Sequence, residues 1–398
     1  MSEDNKISLY IHIPFCIKKC NYCDFLSFPE GGRNTALMEQ YFKALLREAK
    51  ALEGGKLILD REREAETVVD INRQVRSIYI GGGTPNIIDA EKISEILCKL
   101  KNIFTVDEKT EISIELNPGV YGEDIIKREL TVLRAAGINR LSIGLQTADN
   151  GELKKLGRIH SFEDFLRLYG AARESGFENI NIDLISGIPM QTVKSYERTL
   201  DKVLALKPEH ISAYSLIIEE GTPFGEGDRE SLKLPDEDEE YEIYLMTRRI
   251  LNENGYDRYE ISNYARKGYE CVHNLACWDR KDYLGLGLGA ASLMGAFRFS
   301  NTRELKRYLP APADSRVEVQ RLKEKEAMEE FMFLGLRKTA GVRRRDFESS
   351  FGVSLDGIYA GVIAKYSRLG LIEDDGESVR LTVRGMDAAN EIMSNFLL

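Results

Sequence analysis

Short apolar runs rich in Ile, Val and Tyr alternate, over the first 220 residues, with longer stretches whose apolar positions recur every three or four residues. The short runs are Leu9 to Ile13, Ser77 to Ile80, Glu111 to Glu115, Arg140 to Ile143, Asn179 to Ile185 and His210 to Leu216. Each has the length of a strand. Between them, Ala36 to Leu52, Ala90 to Ile103, Glu123 to Ala136, Phe162 to Ser175 and Thr192 to Leu206 carry helical periodicity. Gly137 and Gly176 stand where a helix end favours glycine. Six strand-helix units in series predict parallel strands joined by right-handed crossovers. A closed barrel needs eight, so the pattern predicts an α/β fold with an open, partial (β/α)6 barrel over residues 1–220.

The pattern changes near residue 220. Residues 221–316 open with charged positions and the acidic run Asp236 to Glu240, which suits a solvated helix start. Tyr256, Tyr259, Tyr264, Tyr269, Trp278 and Tyr283 follow among glycines, predicting irregular strands and loops that flank the barrel as an α+β extension. From residue 317 to 398 the pattern predicts helices near Lys325 to Leu336, Arg345 to Phe351 and Leu355 to Leu369. A hairpin turning at Gly376 completes a small winged-helix-like domain. Arg343, Arg344 and Arg345 approach one of these helices, and three arginines in that position do not make a nucleic-acid surface.

The chain has 398 residues, 43% of them hydrophobic, and a formal net charge of -10. That charge argues against nucleic acid as a partner and against a polybasic membrane anchor. Met1 to Asp4 lack the basic and apolar regions of a targeting signal, and no run reaches the length of a transmembrane span. The expected location is the cytoplasm, where thiols stay reduced.

Three of the six cysteines sit on one short segment, Cys16-Ile-Lys-Lys-Cys20-Asn-Tyr-Cys23. Three thiolates at C-x3-C-x2-C spacing can hold three corners of a cubane iron-sulfur cluster and leave the fourth iron open. A zinc knuckle needs a fourth ligand at matching spacing, and neither Asp24 nor His12 is well placed to supply it. Cys98 lies in an apolar helical stretch and is expected to be a buried thiol.

The other distinctive residues fall at or just after strand ends, the rim that carries the site in barrel proteins. Gly81-Gly82-Gly83-Thr84-Pro85 lacks both the dinucleotide-fold spacing and the phosphate-loop ending. Glycines there allow close backbone approach to a ligand, or a tight turn with none. Glu115 and Asp183 can accept hydrogen bonds from ribose hydroxyls or ammonium groups, and Gln146 and Arg158 can fix other polar atoms. For Glu115 and Arg158 a buried structural salt bridge is an equal reading of the residues alone.

The cysteine segment resembles the radical S-adenosylmethionine superfamily, whose open iron is chelated by that cofactor. Taken in order, Tyr10 to Phe25, Gly81 to Pro85, Arg140 to Gln146, Leu156-Gly157-Arg158, Asn181 to Pro189 and His273-Asn274 resemble the oxygen-independent coproporphyrinogen III oxidase family over nearly the whole chain. The resemblance implies Cys16, Cys20 and Cys23 as ligands of a [4Fe-4S] cluster. It implies Tyr10, Tyr22, Gly82, Gly83, Thr84, Glu115, Gln146, Arg158 and Asp183 as S-adenosylmethionine contacts.

That family contains porphyrinogen dehydrogenases and haem chaperones. Dehydrogenases usually carry a further cysteine two residues after the third ligand, where this chain reads Cys23-Asp24-Phe25. They also carry a long N-terminal extension, whereas 15 residues precede Cys16 here. His273-Asn274-Leu-Ala-Cys277 looks like a signature of the chaperone branch with cysteine in place of tyrosine, making His273 a candidate haem contact. A second departure is Ala291 before Ser292, where relatives commonly have histidine. The resemblance thus implies a chaperone that binds haem and transfers it to acceptor proteins, some of them at a membrane. Coproporphyrinogen III dehydrogenase, in porphyrin biosynthesis, is the alternative.

Overall fold

The structure, a computed structural model, describes residues 5–60, 67–228 and 230–398. Met1 to Asp4, expected above to lack a targeting signal, lie outside them. The six expected strands form as β1 (Lys6–Ile13), β2 (Gln74–Gly82), β3 (Glu111–Leu116), β4 (Arg140–Gln146), β5 (Ile180–Ser186) and β6 (His210–Ser215). They lie side by side in chain order and pair parallel throughout. Five crossover helices return the chain: α1 (Ala36–Lys50), α2 (Ala90–Ile103), α3 (Glu123–Ala135), α4 (Phe162–Glu174) and α5 (Val193–Ala205). Capping boxes start two of them, Ser161 with Asp164 at α4 and Thr192 with Ser195 at α5. Gly137 and Gly176 follow α3 and α4 with φ of 100° and 83°, a region costly for other residues.

The two faces of the strands have opposite chemistry, because side chains alternate with period two. Ile7, Leu9, Ile11 and Ile13 of β1 are fully buried on one face, as are Ile112 and Ile114 of β3 to within 3% exposure. They join one apolar core with Leu45 of α1, Ile96 of α2 and Leu130 of α3. The alternate positions are polar: Ser8 and His12 on β1, Ser77 on β2, Ser113 on β3, Ser142 on β4, Asn181 on β5 and His210 on β6. Much of this buried inner face is hydrogen-bonded, as at Ser77 to Ser8 and Asn181 to Ser142. The apolar outer face secures the fold, and the polar inner face builds the site.

Cys98 corrects an expectation. It is exposed on α2, on the side away from Ile93, Ile96, Leu97 and Leu100.

The flanking segment is more regular than its glycines and tyrosines suggested. The acidic run does begin a helix, α6 (Glu237–Glu253), with Asp236 as its cap. Beyond it, β7 (Asp257–Arg258) and β8 (Asn263–Ala265) extend the sheet antiparallel beyond β6. A short helix, α7 (Val272–Trp278), then crosses to the other edge. There β9 (Tyr283–Leu286) pairs parallel with β1, and β10 (Ala291–Met294), β11 (Phe297–Asn301) and β12 (Arg316–Arg321) continue antiparallel. The described residues thus form a 12-stranded sheet whose outer strands on both sides come from residues 257–321.

The C-terminal residues build a second core around Met332, Phe347, Tyr359 and Phe396. Its helices are α8 (Glu324–Gly335), α9 (Arg344–Phe351) and α10 (Leu355–Arg368). A hairpin of β14 (Ile372–Asp374) and β15 (Ser378–Leu381) turns near Gly376 at φ 83°, and β13 (Val342–Arg343) joins β15. Arg344 is committed to Asp356 and Asp374 at 3.0 and 2.8 Å.

Candidate functional site

The cysteine segment leaves β1 and is fastened at both ends. Phe15 and Cys16 pair with Phe28 and Pro29, while the Asn21 amide donates to the Lys155 carbonyl at 2.9 Å. The Asn21 backbone N–H reaches the Leu156 carbonyl at 2.9 Å. A Cβ on Gly157, at φ 74°, would stand 2.9 Å from the Asn21 side chain, so the Leu156-Gly157-Arg158 turn needs its glycine. Sequence-distant segments are thereby locked beside each other.

A cavity of about 510 Å³ opens at the C-terminal ends of β1 to β6, within the range of small-ligand sites. Cys16, Cys20, Cys23, Tyr22, Gly82, Gly83, Thr84, Glu115, Gln146, Arg158 and Asp183 line it. Tyr10 and His273 do not. The Tyr10 hydroxyl, one layer below, donates to His12 Nδ1 at 2.9 Å, and its ring lies 6.4 Å from that of Tyr79. The imidazole is oriented in turn by Nε2–H donating to the Leu26 carbonyl at 2.9 Å.

Two donors face the thiols. Thr84 Oγ1 lies 3.3 Å from Cys16 Sγ, and Arg158 Nη1 lies 3.6 Å from Cys20 Sγ. Burial pushes the Cys16 thiol up, and pushes Cys23 up to about 11. A metal must therefore displace these protons to bind. Gly83 makes room beside them, since its Cβ would stand 2.6 Å from the Phe15 carbonyl oxygen and 3.0 Å from Cys16 Sγ. Arg158 also donates to the Gly144 carbonyl at 3.0 Å, while its Nε is buried without a partner. A buried guanidinium with an unused donor calls for an acceptor in the cavity.

On the opposite wall the carboxylates are paired with donors from the inner strand face. Glu115 accepts from the Tyr79 hydroxyl at 2.9 Å and the Gly82 backbone N–H at 3.1 Å. Asp183 accepts from Ser142 and from the Asn181 amide, both at 2.9 Å. Burial, then the neighbouring Asp183 carboxylate, raises Glu115 to about 7. Burial raises Asp183 as well, against the pull of its hydrogen bonds. Gln146 reaches the cavity through a register shift between Gly144 and Gln146 and a left-handed φ of 72°. Tyr79, Ser142 and Asn181 escaped the sequence reading. The signal was present, because each sits two or four residues before a rim position on the same strand face.

The chain is 35% identical over 393 residues to the haem chaperone HemW of Lactococcus lactis, covering 98% of this chain and 97% of that protein. It is 35% identical over 397 residues to the haem chaperone HemW of Bacillus subtilis, covering 98% and 99%. This chain belongs to the HemW family. Residues 10–203 match the Radical SAM superfamily, and residues 322–387 match the HemN C-terminal domain. The solved structure of coproporphyrinogen III oxidase (HemN) from Escherichia coli, described as a radical SAM enzyme, superposes with a TM-score of 0.81 at 25% identity. The match covers 99% of this chain and 90% of that one. The α/β radical SAM fold is common to both.

In this HemW-family chain, His273 lies on α7 beneath the cavity and is 6% exposed. Its Nδ1 is 3.0 Å from Ser77 Oγ, and its ring is 5.1 Å from that of Tyr79. Burial, then Arg140, lowers it to about 4, so it stays neutral. The backbone N–H groups of Val272 and His273 donate to Glu111 at 3.0 and 3.1 Å. Helix α7 is thus docked on the starts of β2 and β3, several residues from the rim, and the structure does not bring His273 to the cavity mouth. Cys277, on the same helix, has its thiol pushed up to about 11 by burial.

Proposed function

We propose that this chain is a haem chaperone that carries a [4Fe-4S] cluster, binds S-adenosylmethionine and haem, and transfers haem to acceptor proteins in the cytoplasm or at a membrane. The observation that carries the cofactor half is the convergence of Cys16, Cys20 and Cys23 with Thr84, Arg158 and Gly83 on one cavity. Three thiols, two donors aimed at sulfur and a position where a Cβ cannot fit suit a cluster. When bound, such a cluster supplies one electron to S-adenosylmethionine.

The chain's own residues would then hold the cofactor around that chemistry. Arg158 Nε is the free donor for an anionic or carbonyl oxygen, and Gln146 is held over Gly144 by the strand bulge. Glu115 and Asp183 accept from cationic or hydroxyl groups on the far wall. A donor group of the ligand requires the Glu115 carboxylate, so binding near neutrality releases its proton. Affinity should rise about tenfold between about pH 6 and pH 8 as Glu115 ionises. Glu115→Gln should show only the ligand's own titration. Calorimetry of both proteins checks this, and equal pH slopes would remove Glu115 from the ligand.

The haem half rests on the HemW relatives and on Phe25, which stands where a dehydrogenase carries a further cysteine. The test is anaerobic: reconstituted protein, reductant, S-adenosylmethionine and coproporphyrinogen III, with products separated by chromatography beside an active dehydrogenase. No conversion by protein with an intact cluster is expected. Conversion to protoporphyrinogen would replace the chaperone reading with the dehydrogenase one.

A further inference from the structure

Two large apolar side chains stand far out of the protein at the mouth of the same cavity. Ile217, 67% exposed, and Phe25, 63% exposed, are the most exposed large hydrophobic residues among those described. Both line the cavity. Phe25 belongs to the loop after β1 and Ile217 to the segment after β6, the first and last in chain order of the six strand-helix units. They therefore reach the cavity mouth from two segments far apart in the sheet. Tyr214, 39% exposed at the end of β6, and Leu216, next to Ile217, line the cavity as well. Scattered surface apolar residues need no explanation, but the two most exposed of the described ones meeting at one cavity mouth do.

Charge narrows the occupant. Lys18 and Lys19 line the same mouth on the Phe25 side, and Asp24 and Glu219 stand on the rim as well. The mouth is thus not a general basic field. It offers two neighbouring cationic positions beside an apolar platform, which complements a flat apolar body with two carboxylates on one edge.

Resting on the chaperone reading above, we infer that the loop after β1 and the segment after β6 form the haem seat. One haem lies over the cavity mouth between Phe25 and Ile217, and its propionates reach Lys18 and Lys19. The cavity below is left to the S-adenosylmethionine-sized ligand that its 510 Å³ can hold. Haem and cofactor then bind together, one above the other, and His273 below takes no part.

The experiment is a haem titration of the cluster-loaded full chain, followed by difference spectra. It is run for the wild type, for a Phe25→Ser/Ile217→Ser double variant and for a Lys18→Gln/Lys19→Gln double variant. Both apolar positions are exposed, so the fold tolerates serine, and Val383→Ser, at a residue 56% exposed on the C-terminal module, serves as control. The apolar double variant should bind haem at least about tenfold more weakly, with unchanged S-adenosylmethionine affinity. The lysine variant should lose the wild type's preference for haem over its dimethyl ester, and Val383→Ser should match the wild type. Equal haem affinity in the apolar variant would overturn the seat while leaving the chaperone reading. Absence of haem binding by the wild type would overturn both. Loss of self-association with unchanged haem affinity would assign the rim to a second copy of the chain and overturn the seat.

Discussion

Serine at Cys16, Cys20 or Cys23 is expected to abolish the visible iron-sulfur absorbance of the reconstituted protein, each variant behaving like the triple one. A cubane with one open iron has only three protein ligands, so removing one leaves two, and a serine hydroxyl does not ionise readily enough to replace a thiolate. The surroundings argue against a substitute ligand. Thr84 and Arg158, which hydrogen-bond to the sulfurs, are donors to them rather than acceptors for iron. The barrel should survive, because its packing rests on the outer-face residues Ile7 to Ile13 and their helices rather than on this loop. Far-ultraviolet circular dichroism matching the wild type would establish that. A variant retaining the full spectrum would remove that cysteine from the ligand set.

Arg158→Lys should leave a cluster but lower S-adenosylmethionine affinity by at least about thirtyfold, in line with losing a buried charged hydrogen-bonding partner. The guanidinium donates to Cys20 Sγ and to the Gly144 carbonyl and lies against Tyr22, while its Nε is buried without a partner. Lysine keeps the charge but has one nitrogen where arginine has three, so it cannot serve sulfur, carbonyl and ligand together. The position is fixed by Leu156 and Gly157 against Asn21, so the shorter reach is not made up by backbone movement. The readout is the change that S-adenosylmethionine causes in the electron paramagnetic resonance of the reduced cluster, titrated for both proteins. Equal titration curves would reduce Arg158 to a support for the loop.

Much of this was legible in the chain, and what was not has identifiable causes. The six parallel strands and five helices announced themselves because each is local and long enough to show its period, as with Ile7, Leu9, Ile11 and Ile13. The rim positions were legible for the same reason, since strand ends and glycine runs are features of neighbouring residues. The edges of the sheet were not. Asp257–Arg258 and Asn263–Ala265 are two and three residues long, and nothing local says that Tyr283–Leu286 returns to lie parallel to β1. Cys98 misled because an apolar stretch on a helix still turns one side to water. His273 was drawn from a motif likeness, which does not tell the depth at which a side chain lies, and it is buried one layer below the cavity against Tyr79 and Ser77. The inner-face partners Tyr79, Ser142 and Asn181 could have been found by stepping back in twos from Gly81, Gln146 and Asp183 along each strand.

A haem carrier built on this radical SAM barrel must bind haem. The most direct measurement is an anaerobic haem titration of the full-length, cluster-loaded protein, monitored in the Soret region against free haem and against an unrelated protein of similar charge. A saturable spectral change at one haem per chain is expected, with passage of that haem to an apo-acceptor on mixing. A signal that never saturates, or haem that the chain cannot hold better than the unrelated protein does, would contradict it.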